Sequence, residues 1–328
     1  MTAENKTIIV TGGAGYIGSH ACKLLANVGY LPVVYDNLSR GHDWAVKWGP
    51  LEKGDILDPD RLGEVIKKYQ PDAIMHFAAF AYVGESVNNP ILYYQNNVVG
   101  TYTLLRVMLE HGIEKFIFSS TCAVYGEPDT LPLTESHKKQ PVNPYGNTKA
   151  IIETMLEDLA AGGQLKFISL RYFNAAGADL DGEIGDSHDP ETHLIPLILN
   201  AADGKIPEIE IYGNDYETPD GTCIRDYIHV NDLADAHLRA LQYLQEGNPS
   251  GFYNLGSETG YSVQEIINAA KLVTGKPIKT CISPRRPGDP PALVANASKA
   301  KQELGFNPQN SDLDTILTSA WNWHNDNR

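Results

Sequence analysis

The chain has 328 residues, 42% of them hydrophobic and 20% charged. These values describe a folded globular protein of one large or two modest domains, and exclude a disulfide-stapled mini-protein, a disordered chain and a coiled coil. Lys and Arg number 26 against 41 Asp and Glu, a formal charge of -15 at pH 7, so the overall field repels nucleic acid and anionic membranes, and an anionic ligand must meet local positive groups.

In chain order, a polar lead passes directly into the β-branched run Ile8 to Val10, with no apolar stretch of the signal-peptide kind. The glycine-rich TGGAGYIG follows, and then a helical pattern. A second strand is predicted from Pro32 to Tyr35, ending on Asp36. Further strands are predicted at Ala73 to Ala78, Phe116 to Ser119 and Phe167 to Leu170, with helical patterns between them. Short apolar strands alternating with helices predict an α/β fold, a doubly wound parallel sheet of Rossmann type covered on both faces. After Asn174 the pattern loosens into AAGADLDGEIGDSHDPETH, a predicted domain boundary, before a helical patch at Leu194 to Leu199. Asp226 to Ala240 and Phe252 to Leu255 read as helix and strand material returning to the sheet, and Ser283 to Pro291 as irregular surface chain. The expected division is residues 1–174 plus about 226–258 as a dinucleotide-binding domain, and 175–225 plus about 259–328 as a second, smaller α/β substrate domain.

Four cysteines, Cys22, Cys122, Cys223 and Cys281, lie far apart with no C-x-x-C pair, which argues against a zinc ribbon and fits reduced thiols. No run approaches the roughly 18 apolar residues of a membrane span. A cytoplasmic location with no membrane association is expected.

TGGAGYIG sets Gly12, Gly15 and Gly18 three apart between strand and helix. Lacking Cβ atoms, they allow a tight turn, approach of a pyrophosphate to backbone N–H groups, and close helix–strand packing. Asp36 closes the next strand, where its carboxylate can accept hydrogen bonds from a ribose diol and would repel a 2′-phosphate, so NAD is favoured over NADP. The bland alternative is a tight turn followed by a solvated Asp. Asp55, in GDI after a predicted strand, reads equally as an acceptor for an adenine amino group or as a structural loop residue.

In NPYGNTK, Asn143 reads as a helix N-cap and Pro144 as the first helical residue, which puts Tyr145 in the first turn and Lys149 one turn on. The stripe continues through Ile152, Leu156 and Leu159, so both polar side chains face inward. A buried phenol and amine need partners, and an ammonium beside a cationic nicotinamide would stabilise a phenolate, the chemistry of a general base. A Tyr over a helix start with a snorkelling Lys is the alternative. SSTCAVYG places Ser119, Ser120 and Thr121 at the carboxyl edge of the sheet, with Thr121 the expected hydrogen-bond donor to the reacting oxygen.

TGGAGYIG, the strand-ending Asp36, SSTCAVYG, YGNTK and RYFNAAGA together resemble the extended short-chain dehydrogenase/reductase superfamily. Within it, HFAAFAYVGES, YYQNNVVGT, LRYFN, GNDYETPDGTCIRDYIHV, YNLGS and PRRPGD, spanning nearly the whole chain, resemble the UDP-sugar 4-epimerases that interconvert UDP-glucose and UDP-galactose. The resemblance implies bound NAD and a homodimer. It implies that Tyr145, as phenolate, takes the proton of the sugar 4-hydroxyl as hydride leaves the same carbon, and that the 4-keto sugar rotates and is reduced on its other face. Lys149 lowers the Tyr145 pKa in this scheme and Thr121 bonds the 4-oxygen.

Matched positions imply further cofactor contacts at Tyr16, Ile17, Asn37, Ile56, Phe77, Ala78, Asn96 and Tyr172. Substrate contacts are implied at Asn174, His193, Leu194, Tyr212, Arg225, Arg286, Asp289 and Leu293, with Arg225 and Arg286 supplying charge for a diphosphate. Ala81 stands where some relatives have a Lys near the cofactor phosphates, and His193 where others have Asn. Leu293 takes a wall position where a bulky Tyr excludes N-acetyl sugars. UDP-pentose and UDP-N-acetylglucosamine activities therefore stay open.

A nucleotide-sugar dehydratase would need carboxyl groups where Cys122 and Ala123 stand, and a UDP-glucuronate decarboxylase an acidic residue in the same segment. A binding-only regulator would be expected to lack Tyr145 or Lys149. Asp186, His188, Asp189 and His193 lie in a Pro-containing stretch without regular ligand spacing, so no metal is expected there. Cys122 has no His–Asn partners and reads as a small buried thiol.

Overall fold

Ile8 and Val10 enter one apolar cluster and Ile9 another, because alternate residues of a strand face opposite sides of a sheet and this sheet is covered on both. The computed structural model describes residues 6–286 and 289–326; Pro287 and Gly288 of the irregular segment and of PRRPGD lie outside the described residues.

The first half runs β1 (Thr7–Thr11), α1 (Tyr16–Asn27), β2 (Leu31–Asp36), β3 (Leu51–Lys53), α2 (Pro59–Tyr69), β4 (Ala73–His76), α3 (Val83–Asn88) and α4 (Pro90–Tyr93). A π-helical turn, Tyr94–Val99, leads into α5 (Gly100–Glu110), followed by β5 (Lys115–Thr121), α6 (Pro144–Ala161), β6 (Lys166–Tyr172) and β7 (Asn174–Ala176). The second half contains α7 (Leu194–Ala202), β8 (Ile209–Tyr212), β9 (Ile224–His229), α8 (Val230–Gln245), β10 (Gly251–Leu255) and β11 (Gly260–Ser262). It ends with α9 (Val263–Thr274), β12 (Thr280–Ser283), β13 (Ala292–Leu293) and α10 (Leu313–Asp326).

Seven parallel strands form the main sheet in the order β3-β2-β1-β4-β5-β6-β10. Leu25 of α1 and Leu233, Leu241 and Leu244 of α8 cover one face. Leu62 and Val65 of α2, Leu104 and Leu105 of α5, and Ile152 and Leu156 of α6 cover the other. This is the doubly wound Rossmann-type α/β fold that the sequence predicts. β5 and β6 run longer than predicted and β4 shorter, since the N–H groups of Phe77 and Ala78 already turn in to Thr11 O.

The segment from Asp226 to Ala240, read as helix material for the main sheet, starts instead inside β9, and α8 begins only at Val230. β9 pairs with β7, β11 and β13. The place beside β6 is taken by β10, and an apolar run identifies a strand without naming its neighbours. α8 does pack on α1, β5 and β6. β8 and β12 form a parallel pair, and α7, α9 and α10 enclose a separate core built on Ile198, Ile209, Ile211, Ile266, Ile267, Ile316 and Leu317. Between this core and the carboxyl ends of the main strands lies a cleft of about 1340 Å³.

Candidate active site

Gly12 has a φ of +73°, and a Cβ on it would stand 2.5 Å from Ala78 N; one on Gly18 would stand 2.3 Å from Gly12 O. Both positions therefore require glycine. A Cβ at Gly15 would meet the protein only at Gly12 O, 3.3 Å away, and Gly15 lines the cleft. α1 starts just beyond it with no side-chain cap, leaving orphan N–H groups for an anion. The Asp36 carboxylate accepts from Ala14 N at 3.1 Å and Leu38 N at 2.8 Å. Burial raises its pKa and those two N–H groups pull it down. Each oxygen keeps a lone pair for a diol, so the residues fit an adenosine dinucleotide.

α6 begins as the sequence predicts: Asn143 accepts from Gly146 N at 2.8 Å and Pro144 occupies the first turn. That start sets Tyr145 over the cleft and turns Lys149 into it. Lys149 Nζ donates to Ser119 O at 2.7 Å and lies 6.0 Å from the Tyr145 ring centre and 4.7 Å from that of Phe118. The Thr121 hydroxyl accepts from Ala123 N at 3.2 Å and lines the same cleft as the Tyr145 phenol. Burial first, then the neighbouring Tyr172, pushes the Tyr145 pKa well up, opposed by the Thr121 side chain. Burial brings Lys149 down to about 7, opposed by the Glu153 carboxylate one turn along. Protein groups alone thus keep the phenol protonated and the amine easily neutralised, so a phenolate here requires additional positive charge.

Behind this trio lies a buried ion pair that the sequence reading missed. Arg171 donates through Nε at 2.8 Å and Nη2 at 2.6 Å to Glu153, which also accepts from Ser120 Oγ at 2.8 Å and Ser169 Oγ at 3.0 Å. Glu153 and Arg171 are 0% and 2% exposed. The network fixes the middle of α6 to β5 and β6, one residue from Thr121. Tyr172 Oη contacts Ser119 Oγ on the same strand ends.

At the other end of the cleft the Arg286 guanidinium lies 3.9 Å from the Tyr212 ring centre. Arg225 is tied to Asp289 and donates to Ile224 O at 2.7 Å. Asn174 donates to Asp226 O at 3.0 Å. Asn174, His193, Leu194, Tyr212, Arg225, Arg286, Asp289 and Leu293 all line this one cleft, together with Gly12, Gly15, Tyr16, Ile17, Gly18, Asp36, Asn37, Ile56, Phe77, Ala78, Asn96, Thr121, Tyr145, Lys149 and Tyr172. Asp55 does not share that wall. Its carboxylate accepts from Asn37 Nδ2 and Leu57 N, both at 2.9 Å, and so shapes the wall through Asn37.

A family model described as the NAD dependent epimerase/dehydratase family matches residues 8–256. The chain belongs to that family. Among the family's members, a protein from Rhizobium meliloti (strain 1021) named UDP-glucose 4-epimerase is 56% identical over 321 residues, 98% of each chain. The structure of UDP-glucose 4-epimerase from Brucella ovis in complex with NAD superposes with a TM-score of 0.95 at 53% identity, covering 96% of this chain and 97% of that one. A Stenotrophomonas maltophila UDP-glucose-4-epimerase with bound NAD and formylated UDP-arabinopyranose gives a TM-score of 0.95 at 40% identity, covering 98% of both chains. Like members of an NAD-dependent family, this chain uses NAD.

Within this epimerase/dehydratase framework the structure adds residues that sequence reasoning passed over. Arg40 lines the cleft, pairs with both Glu85 oxygens at 2.7 and 3.0 Å, and lies over the rings of Phe80 and Tyr82 at 5.3 and 4.9 Å. Those rings flank Ala81, so a cation stands beside the position that itself carries none. The signal was present in HFAAFAYVGES as two aromatics around Ala81, but their partner Arg40 lies 40 residues upstream of Phe80. His193 is half-exposed; burial lowers its pKa, but the Glu191 hydrogen bond and the Asp186 and Glu191 charges outweigh this and raise it.

Proposed function

We propose that the chain is a UDP-glucose 4-epimerase that interconverts UDP-glucose and UDP-galactose. The observation that carries this reading is the meeting, in one cleft, of the Tyr145, Lys149 and Thr121 trio, a glycine turn with its strand-ending Asp36, and an arginine-lined far end. Bound NAD supplies an acceptor for the hydride of the sugar C4 and a donor for its return to the opposite face. Gly12, Gly15, Tyr16, Ile17 and Gly18 cradle its diphosphate, Asp36 and Asn37 its adenosine ribose, and Asp55, through Asn37, and Ile56 the adenine side. Phe77, Ala78, Asn96 and Tyr172 flank the rest, and Arg40 contributes the cation that Ala81 does not.

Tyr145 removes the proton of the 4-hydroxyl, and later returns one to the 4-oxygen. Thr121 orients that oxygen, and Lys149 stabilises the phenolate, aided by the positive nicotinamide. Arg225 and Arg286 hold the UDP diphosphate, while Tyr212, Asn174, Asp289, His193 and Leu194 position the nucleoside. Leu293 borders the sugar. With no carboxyl group at Cys122 or Ala123, the keto sugar has no partner for elimination and is simply reduced again.

The NAD-binding part comprises residues 1–174 plus about 226–258, and the UDP-sugar part 175–225 plus about 259–328; the packing of α8 on α1 and of β10 on β6 supports this division. The chain acts as a homodimer through α3, α4, the π-helical turn and α5, where Val87, Ile91, Val99 and Tyr102 present an apolar stripe 60%, 73%, 48% and 55% exposed. An isologous pair would cover such a stripe with its own copy. All four cysteines are free and no helix among the described residues is long and apolar enough to cross a membrane; a cytoplasmic location accords with both.

The test incubates purified protein, without added NAD, with UDP-galactose, UDP-N-acetylgalactosamine and UDP-arabinopyranose separately, and resolves the epimers by proton NMR. Conversion of UDP-galactose to a stable mixture with UDP-glucose is expected, and the three rates rank the sugars. No conversion of any of them even with NAD supplied overturns the reading.

A further inference from the structure

Residues 186–193 fold back so that Asp186, His188, Glu191 and His193 each bring one ligand-type atom to within 4.8 Å of all the others. The Asp186 carboxylate is central. One oxygen is paired with His188 Nδ1 and the other stands 3.9 Å from His193 Nδ1, which is 2.8 Å from Glu191 Oε1. The side chains of Asp186, Glu191 and His188 are only 14%, 14% and 24% exposed.

Two features set this cluster apart from a settled ion-pair network. Asp186 Oδ1 and His188 Nδ1 are buried against each other, and neither has a hydrogen-bond partner beyond that contact. The hydroxyl of Tyr82, whose ring centre lies 5.8 Å from that of His188 and 6.3 Å from that of His193, is likewise buried without a hydrogen-bond partner. The backbone around the cluster is pinned from outside, with Trp323 Nε1 donating to Asp186 O at 3.0 Å and His42 Nε2 at 2.7 Å from Ser187 O. The acidic trio Asp179, Asp181 and Glu183 offers a contrast: Lys23 Nζ already sits 2.7 Å from each, so an ammonium fills the place a metal ion would take.

We propose that Asp186, His188, Glu191 and His193 bind one divalent transition-metal cation of the zinc or cobalt type. Two neutral imidazoles and two carboxylates offer a net charge of -2 and a mixed N/O donor set, which suits these ions better than the all-oxygen shells of calcium and magnesium. A tetrahedral ion with bonds of about 2.0–2.2 Å holds its ligand atoms roughly 3.4 Å apart, within reach of small side-chain rotations here. No ligand is borrowed from Tyr145, Lys149 or Thr121; Asp186, His188 and His193 are shared with the cleft wall. Its effect is mechanical: the ion ties together the segment that delivers His193 and Leu194 to the cleft wall at the start of α7.

The experiment strips the NAD-loaded protein with a chelator, then measures Zn²⁺ binding by equilibrium dialysis and Co²⁺ binding by visible absorption. The expected result is one Zn²⁺ per chain at micromolar affinity or tighter, with Co²⁺ d–d bands that Zn²⁺ erases. His188→Ala and Glu191→Gln should each weaken binding at least tenfold, with retained NAD and circular dichroism confirming the fold; Glu191→Gln alone decides if His188→Ala does not fold. Millimolar or weaker Zn²⁺ binding overturns the proposal. So does tight binding that the folded variants leave unchanged, which would put the ion elsewhere, on the cysteines for example.

Discussion

Lys149→Met should make the protein more stable at neutral pH while removing its activity. Burial lowers Lys149 from 10.5 to about 7. At about 1.4 kcal/mol per pH unit, holding the ammonium in the fold at or below pH 7 costs up to about 5 kcal/mol relative to the unfolded chain. Methionine is close in volume and removes that cost, but leaves Ser119 O without its 2.7 Å donor, a loss of about 1–3 kcal/mol. The net expectation is a gain of about 2–4 kcal/mol at pH 7. Between pH 7 and 10.5 the unfolded wild-type chain binds a proton that the folded one has released, so wild-type stability from this group rises with pH. The advantage of the variant should therefore shrink as pH rises, vanish between about pH 8.5 and 10, and reverse above that. Urea or thermal unfolding of both proteins at several pH values, with NAD removed and again with NAD saturating, checks this. A variant less stable at pH 7, or a difference that does not change with pH, would refute the reasoning.

Tyr145→Phe should retain NAD and lose turnover by about 10²–10⁴-fold, the usual weight of a positioned acid–base group; near-normal turnover with full NAD content removes Tyr145 as the base. Leu293→Tyr should reduce activity on N-acetylated UDP-sugars more than on UDP-glucose, and equal losses in kcat/KM would show that Leu293 does not border the acyl group. Glu153→Leu leaves the buried Arg171 charge uncompensated and should cost about 3–5 kcal/mol of stability, read as a lowered urea midpoint; a variant as stable as wild type contradicts the buried pair. Ile91→Glu should shift the mass measured by light scattering from two chains toward one, and an unchanged mass moves the interface elsewhere.

What the sequence made legible was local. The glycine turn and the start of α6 each depend on residues within a few positions of one another, where backbone conformation and capping rules act directly, and Asp36 was placed by ending the very next strand. The cleft's far end became readable only through the resemblance, because Tyr212, Arg225, Arg286 and Leu293 share no local pattern. Pairings across the chain stayed hidden: Glu153 with Arg171, Arg40 with Glu85, and the choice of sheet for Ile224–His229 all depend on tertiary placement that periodicity does not encode. The stretch from Asp186 to His193 read as an irregular loop for the same reason. Its ligand-type atoms converge only because the chain doubles back, and the residue that joins the cluster is Glu191 rather than Asp189.

The π-helical turn at Tyr94–Val99 gives the helical run from Pro90 to Glu110 the character of a helix carrying one residue more than its neighbours need. That surplus puts Asn96 on the cleft wall while Asn97 beside it is fully buried. Asn97 accepts from Phe80 N at 2.9 Å and donates to Phe80 O at 3.0 Å and to Thr148 Oγ1 at 3.1 Å, stitching the loop after β4 to the helix that bears Tyr145. Deleting a single residue here would restore a regular helix and turn everything on one side by about 100°, unpicking the stitch and withdrawing Asn96 together. The turn thus couples the cofactor wall to the helix of the reacting tyrosine: neither contact can be lost by a change in helix register without the other.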